Sequence, residues 1–223
     1  MTRQEVLKYL IDIAPPIILK AKQGDRGSCI LSTQVAIGLC QAFGIRGTRL
    51  RVRADIVDLA VYPLPGWEAV ATTPGTDFRK WAEANGAIVH AVPPRTTPAP
   101  QRWSGYVVAF LLDRDELVDL SINQADDPEV GLTVPLVRVS RDDFAENVFS
   151  NFIGMRHSLP VRAGNIAVVY TAEIDDNVGL TVGWTNHAAT AGIIVKHLAS
   201  QMLGLSWAVN WDQVIASTPK SDL

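Results

Sequence analysis

Residues 29–57, CILSTQVAIGLCQAFGIRGTRLRVRADIV, decide the fold, because the hydrophobic period changes inside them. From Cys29 to Phe43 the apolar residues Ile30, Leu31, Val35, Ile37, Leu39, Cys40 and Phe43 surround the axis of a helix, which predicts a buried one. Ser28 suits its N-cap and Gly44 the position just past its last turn. From Thr48 onward the period is 2. Thr48, Leu50, Val52, Ala54 and Ile56 point one way, and Arg49, Arg51, Arg53 and Asp55 the other. That alternation predicts a half-buried strand with a wet, charged face.

Working outward, residues 3–12 predict a short amphipathic helix stopped by Pro15-Pro16, followed by a second short helical piece from Ile17 to Lys22. Downstream, a helix is expected from Asp77 to Asn85 and an apolar strand from Ala87 to Val92. The Pro-rich stretch 93–100 reads as a surface crossing. Tyr106–Leu112 and Glu116–Leu120 form a predicted hairpin around Asp113-Arg114-Asp115. A second hairpin is expected between Asn165–Thr171 and Val178–Trp184, and a final helix from His187 to Leu203. The order predicts one α+β domain over 1–223, a cysteine-bearing helix packed on an antiparallel sheet.

Composition narrows the functions. The chain has 223 residues, 48% of them hydrophobic, enough for a sizeable core. Its 20 basic and 23 acidic residues give a net charge of −3, which offers no electrostatic footprint for nucleic acid or an anionic membrane. The start MTRQEVLKYLIDIAPP mixes charges into its apolar run and lacks a small-residue cleavage site, so a cytoplasmic location is expected. Cys29 and Cys40 lie eleven apart on one helix. That is roughly 16 Å of rise, against a limit of about 7 Å for a disulfide. Two free thiols are expected. The histidines show no metal-ligand spacing and the glycines no phosphate loop, so neither metal nor cofactor is expected.

The chemistry concentrates at Gln23-Gly24-Asp25-Arg26-Gly27-Ser28-Cys29. A cysteine in the first turn of a helix lies where backbone N–H groups favour a thiolate. Gln23 stands six residues upstream, where its amide can join the Cys29 N–H as an oxyanion donor. Asp119 interrupts the apolar run of Val118 and Leu120 and needs a specific partner if it points inward. The acids Asp113, Asp115, Asp126 and Asp127 read as turn residues.

The run QGDRGSC with its apolar helix, and WSGYVVAFLLDRDELVDLSINQA over 103–125, resemble the papain-like and transglutaminase-like cysteine superfamily. The resemblance covers about residues 20–57 and 103–125. It implies a papain-like or transglutaminase-like core and acyl transfer through a thioester at Cys29, with Asp119 as the orienting acid. The histidine of such proteins follows a glycine at the start of the preceding strand. Here Tyr106 follows Gly105 at that place, and a phenol is a poor general base near neutral pH. His90 is the one histidine in cysteine–histidine–aspartate order, and Trp103 is a candidate for the cleft mouth. Two functions follow. One is a cysteine-dependent hydrolase or acyltransferase acting on an amide or thioester of a peptide, protein or small acyl substrate. The alternative is an inactive relative that binds a peptide or partner.

Overall fold

The structure is a computed structural model that describes residues 1–22, 29–92, 106–174 and 178–218. The helix before the cysteine, α1 (Arg3–Ala21), starts at Thr2 with a capping box: the Thr2 hydroxyl accepts from the Glu5 N–H, and the Glu5 carboxylate accepts from the Thr2 N–H. It runs through Pro15 and Pro16 instead of stopping there. Proline removes an N–H and crowds the carbonyl four residues back. Ala14, Ile18 and Ala21 continue the buried stripe of Val6, Leu7 and Leu10, so packing outweighs the two interruptions.

The helix α2 (Cys29–Ala42) is buried nearly all round, as its composition predicts. It closes on Gly44 at φ 76°, with the Ile45 N–H on the Cys40 carbonyl and the Gly44 N–H on the Gln41 carbonyl. This 6→1 and 5→2 pair needs the left-handed residue that glycine supplies. The strand β1 (Gly47–Asp58) follows at once.

The other elements are α3 (Trp67–Ala71), α4 (Phe78–Ala84), β2 (His90–Val92), β3 (Tyr106–Leu111), β4 (Glu116–Asp119), β5 (Val137–Ser140), α5 (Val148–Ile153), β6 (Leu159–Ala163), β7 (Ile166–Ala172), α6 (Val178–Met202) and α7 (Trp211–Ser217). Every strand pairing is antiparallel, in the order β5-β4-β3-β1-β7-β6, with β2 also on β1. The fold is therefore α+β. β2 and β3 share one side of β1: Val92 stands opposite Ala54, and Tyr106 opposite Val52.

The hairpin β3–β4 is the expected one, and Asp115 takes the left-handed turn position (φ 47°) in place of a glycine. The second hairpin is β6–β7 around Gly164 (φ 63°), not one between 165–171 and 178–184. Val178–Trp184 is the first part of α6. Its β-branched residues read as strand locally, but α6 packs along α2, where Gly38 lets Val195 approach so closely that an added Cβ would stand 2.9 Å from it.

The two faces of the sheet have different covers. Val52, Ala54, Ile56, Tyr106, Val108, Phe110, Val168 and Tyr170 line one face, closed by Phe149, Phe152, Leu132 and Val134. On the other, α1, α2 and α6 cover Ala109, Leu111 and Val118. At the far end of that second face, Trp67 and Phe78 cover Val57, Ala167 and Val169. Arg49, Arg51 and Arg53 lie between these two helical layers. They are not the wet face that alternation predicts: the Arg51 and Arg53 side chains are only 18% and 27% exposed, and Asp55 is fully buried. Alternation shows which residues share a face, but not what lies over it.

Among the described residues no helix is long and apolar enough to cross a membrane.

Candidate functional site

The two hairpin strands bring Tyr106 and Asp119 together. The Tyr106 hydroxyl donates to both carboxylate oxygens of Asp119, at 2.6 and 2.7 Å. The Tyr170 hydroxyl donates to Oδ2 at 2.8 Å, and the Ser121 N–H to Oδ1 at 3.0 Å. The Ser121 hydroxyl donates to Oδ1 as well. Asp119 is thus a fully buried carboxylate held by two phenols, an amide and an alcohol. Burial pushes its pKa up, against the pull of these four donors. Both phenols are pushed well up as well, first by burial and then by the charge of Asp119.

Tyr170 is the member that local sequence pattern does not mark. It comes from β7, three strand positions away from β4, a gap of about 14 Å at the usual strand spacing. The sheet bends toward a barrel, and the two side chains meet across its inner face. A tyrosine in the apolar strand IAVVYTA carries no local sign of that partnership.

Cys29 heads α2 and sits where the two cores meet. Its side chain packs in the cluster that contains Tyr106 and Tyr170, whereas Leu31, Val35, Leu39 and Cys40 pack on the helical side. Burial raises its pKa to about 12. Hydrogen bonding to the backbone of Val107, Ile30 and Cys29 itself lowers it, and the Asp119 charge raises it further. The helix-terminal amides expected to favour a thiolate are present, but desolvation outweighs them. Cys40 is likewise pushed up to about 12 by burial, and both thiols are free.

Gln23, Trp103, Ser28, Gly105 and the crossing at 93–100 lie outside the described residues. His90 is half-buried on β2 opposite Ile56, four residues along β1 from the partner of Tyr106. Four strand residues span roughly 13 Å, so His90 does not occupy the place that Tyr106 takes beside Asp119. His157 bonds the Ser158 carbonyl, and His197 lies against Trp207 and Trp211. Among the described residues no group of three His, Cys, Asp or Glu side chains could hold a metal ion.

His187 on α6 is buried, and desolvation with the nearby Lys22 charge lowers its pKa to about 4. The unfolded chain binds a proton near pH 6.5 that the folded chain refuses until pH 4. Stability from this group is complete above pH 6.5 and falls as the pH drops from 6.5 to 4. Urea unfolding at pH 7 and pH 4 is expected to show that loss, and His187→Gln to reduce it. An equal pH dependence in the variant would contradict the assignment.

Trp184, Arg49 and Arg51 make contacts that sequence pattern does not mark. Gln34, one helical turn beyond Ile30, donates to the Trp184 carbonyl. The Trp184 ring packs against both cores and lies 5.2 Å from the Arg49 guanidinium. Arg51 is the cross-strand partner of Val107.

Comparison with known proteins returned no matching family model, no matching curated protein and no matching solved structure.

Proposed function

We propose that the protein is a catalytically silent relative of the transglutaminase-like cysteine proteins and works as a module that binds a peptide or protein partner. The observation that carries this reading is the bond from the Tyr106 hydroxyl to Asp119. In an acyl-transfer centre the group on that carboxylate is the base that activates the thiol and later protonates the leaving group. A phenol whose pKa is driven up by burial does neither near neutral pH. The buried, protonated Cys29 fits the same reading. The helix-head cysteine, the ring and the acid keep the order of the catalytic arrangement without its reactive step.

The test is hydrolysis of a small aryl ester and a thioester by the wild type, Cys29→Ser, Tyr106→His and the double variant. The wild type is expected to match Cys29→Ser. Tyr106→His is expected to exceed its double variant by at least about tenfold, toward the usual general-base contribution. Cys29-dependent turnover by the wild type would overturn the silent reading. No gain in Tyr106→His would remove the kinship.

A further inference from the structure

We infer that Asn85 is a site of spontaneous covalent modification, where attack by the Gly86 backbone nitrogen converts the side-chain amide to aspartate and isoaspartate. The rate is set by the fraying of α4. The inference is independent of the binding-module reading. Asparagine followed by glycine occurs once in the sequence, at Asn85-Gly86. Glycine gives the attacking nitrogen no side chain to shield it. Both residues are exposed, and a Cβ added to Gly86 would meet nothing within 4 Å. The reaction needs only water. The Gly86 nitrogen passes its proton to solvent and bonds to Asn85 Cγ, the Cγ–Nδ2 bond breaks, and the amide nitrogen takes a proton from water and leaves as ammonia. The five-membered imide that results is opened by water at either of its carbonyls. One opening gives aspartate with the ordinary backbone. The other gives isoaspartate, in which the chain runs through the side-chain carbon.

The folded end of α4 holds back both reacting groups. The Gly86 N–H donates to the Glu83 carbonyl at 3.0 Å, and Asn85 Nδ2 donates to the Trp81 carbonyl at 2.8 Å. The Ala87 N–H closes the same turn on the Ala82 carbonyl, with Gly86 at φ 83°. Attack requires the first two bonds to open. α4 has seven residues, and a helix this short opens at its ends far more readily than the whole chain unfolds. At its other end Asp77 caps it by accepting from the Lys80 N–H. Conversion has a structural consequence. It removes the Nδ2 donor and places a negative charge at a helix C-terminus, where the dipole disfavours it. Phe78 and Ala82 of α4 pack with Val57, Ala167 and Val169, so ageing loosens that end of the second face of the sheet.

The test incubates the full chain in mildly alkaline buffer, folded and in urea, and follows every asparagine by peptide mass spectrometry. Labelling with an isoaspartyl methyltransferase separates the two products. Asn85 is expected to convert first and to yield both products, at least about tenfold more slowly in the folded chain than in urea. Asp77→Ala removes the N-cap of α4 and should speed conversion in the folded chain about fivefold, the weight of one cap. Thr2→Ala removes the cap of α1 instead and should leave the rate unchanged. The inference is overturned if another asparagine of the folded chain converts before Asn85. It is also overturned if Asn85 in the folded chain stays intact once the unfolded chain has converted completely. Control by α4 is overturned if Asp77→Ala converts at the wild-type rate, or if Thr2→Ala speeds conversion as much as Asp77→Ala does.

Discussion

Replacing Asp119 with alanine is expected to cost about 3–5 kcal/mol of stability, the usual penalty for removing one partner of a buried, charge-assisted network. The alanine would leave the Tyr106 and Tyr170 hydroxyls and the Ser121 N–H without their acceptor inside the core. For a chain of this size that corresponds to a fall in Tm of roughly 6–20 °C. Asp119→Asn keeps an acceptor oxygen and removes a charge that burial already disfavours, so its loss should be clearly smaller. Thermal unfolding of the two variants decides the matter. An alanine variant within about 1 kcal/mol of the wild type would show that the phenols find other partners and that the network carries no weight.

The second large effect concerns thiol chemistry. With a pKa of about 12, Cys29 is ionised at pH 7 in roughly one molecule in 10^5, against a few per cent for a free cysteine near pH 8.5. Alkylation by iodoacetamide follows the thiolate. At pH 7, Cys29 is therefore expected to react about a thousand times more slowly than free cysteine, with Cys40 equally slow. Mass spectrometry of the alkylated peptides separates the two sites. Rapid modification of Cys29 near pH 6, with Cys40 untouched, would mean an activated nucleophile and would reverse the functional reading.

The parts of the fold that could be read in advance are those governed by neighbours in the chain. The change of period after Gly44, the Asp113–Asp115 turn and the inward Asp119 all follow from residues a few positions apart. The partner of Asp119 was also legible, since Tyr106 lies in the facing strand of the same hairpin. Tyr170 was not, because it reaches Asp119 from 51 positions away. Long-range packing also explains the segments whose local pattern points to another structure. Pro15-Pro16 stays helical because Ala14 and Ile18 are buried under α2, and Val178–Trp184 is helical because α6 lies along α2. The arginine row shows the same limit: its spacing placed Arg49, Arg51 and Arg53 on one face, but only the helices from distant parts of the chain make that face a half-buried one.

Strand β4 has four residues and carries a buried carboxylate at each end. Glu116 is clasped by Arg3 of α1 and by Arg138 of β5, while Asp119 is clasped by phenols on the opposite side. The short strand is therefore riveted through the thickness of the molecule by polar clasps at its ends. Mobile counterions do not reach charges that water has left, so raising ionic strength should loosen surface pairs such as Arg162–Glu68 while leaving these rivets in force.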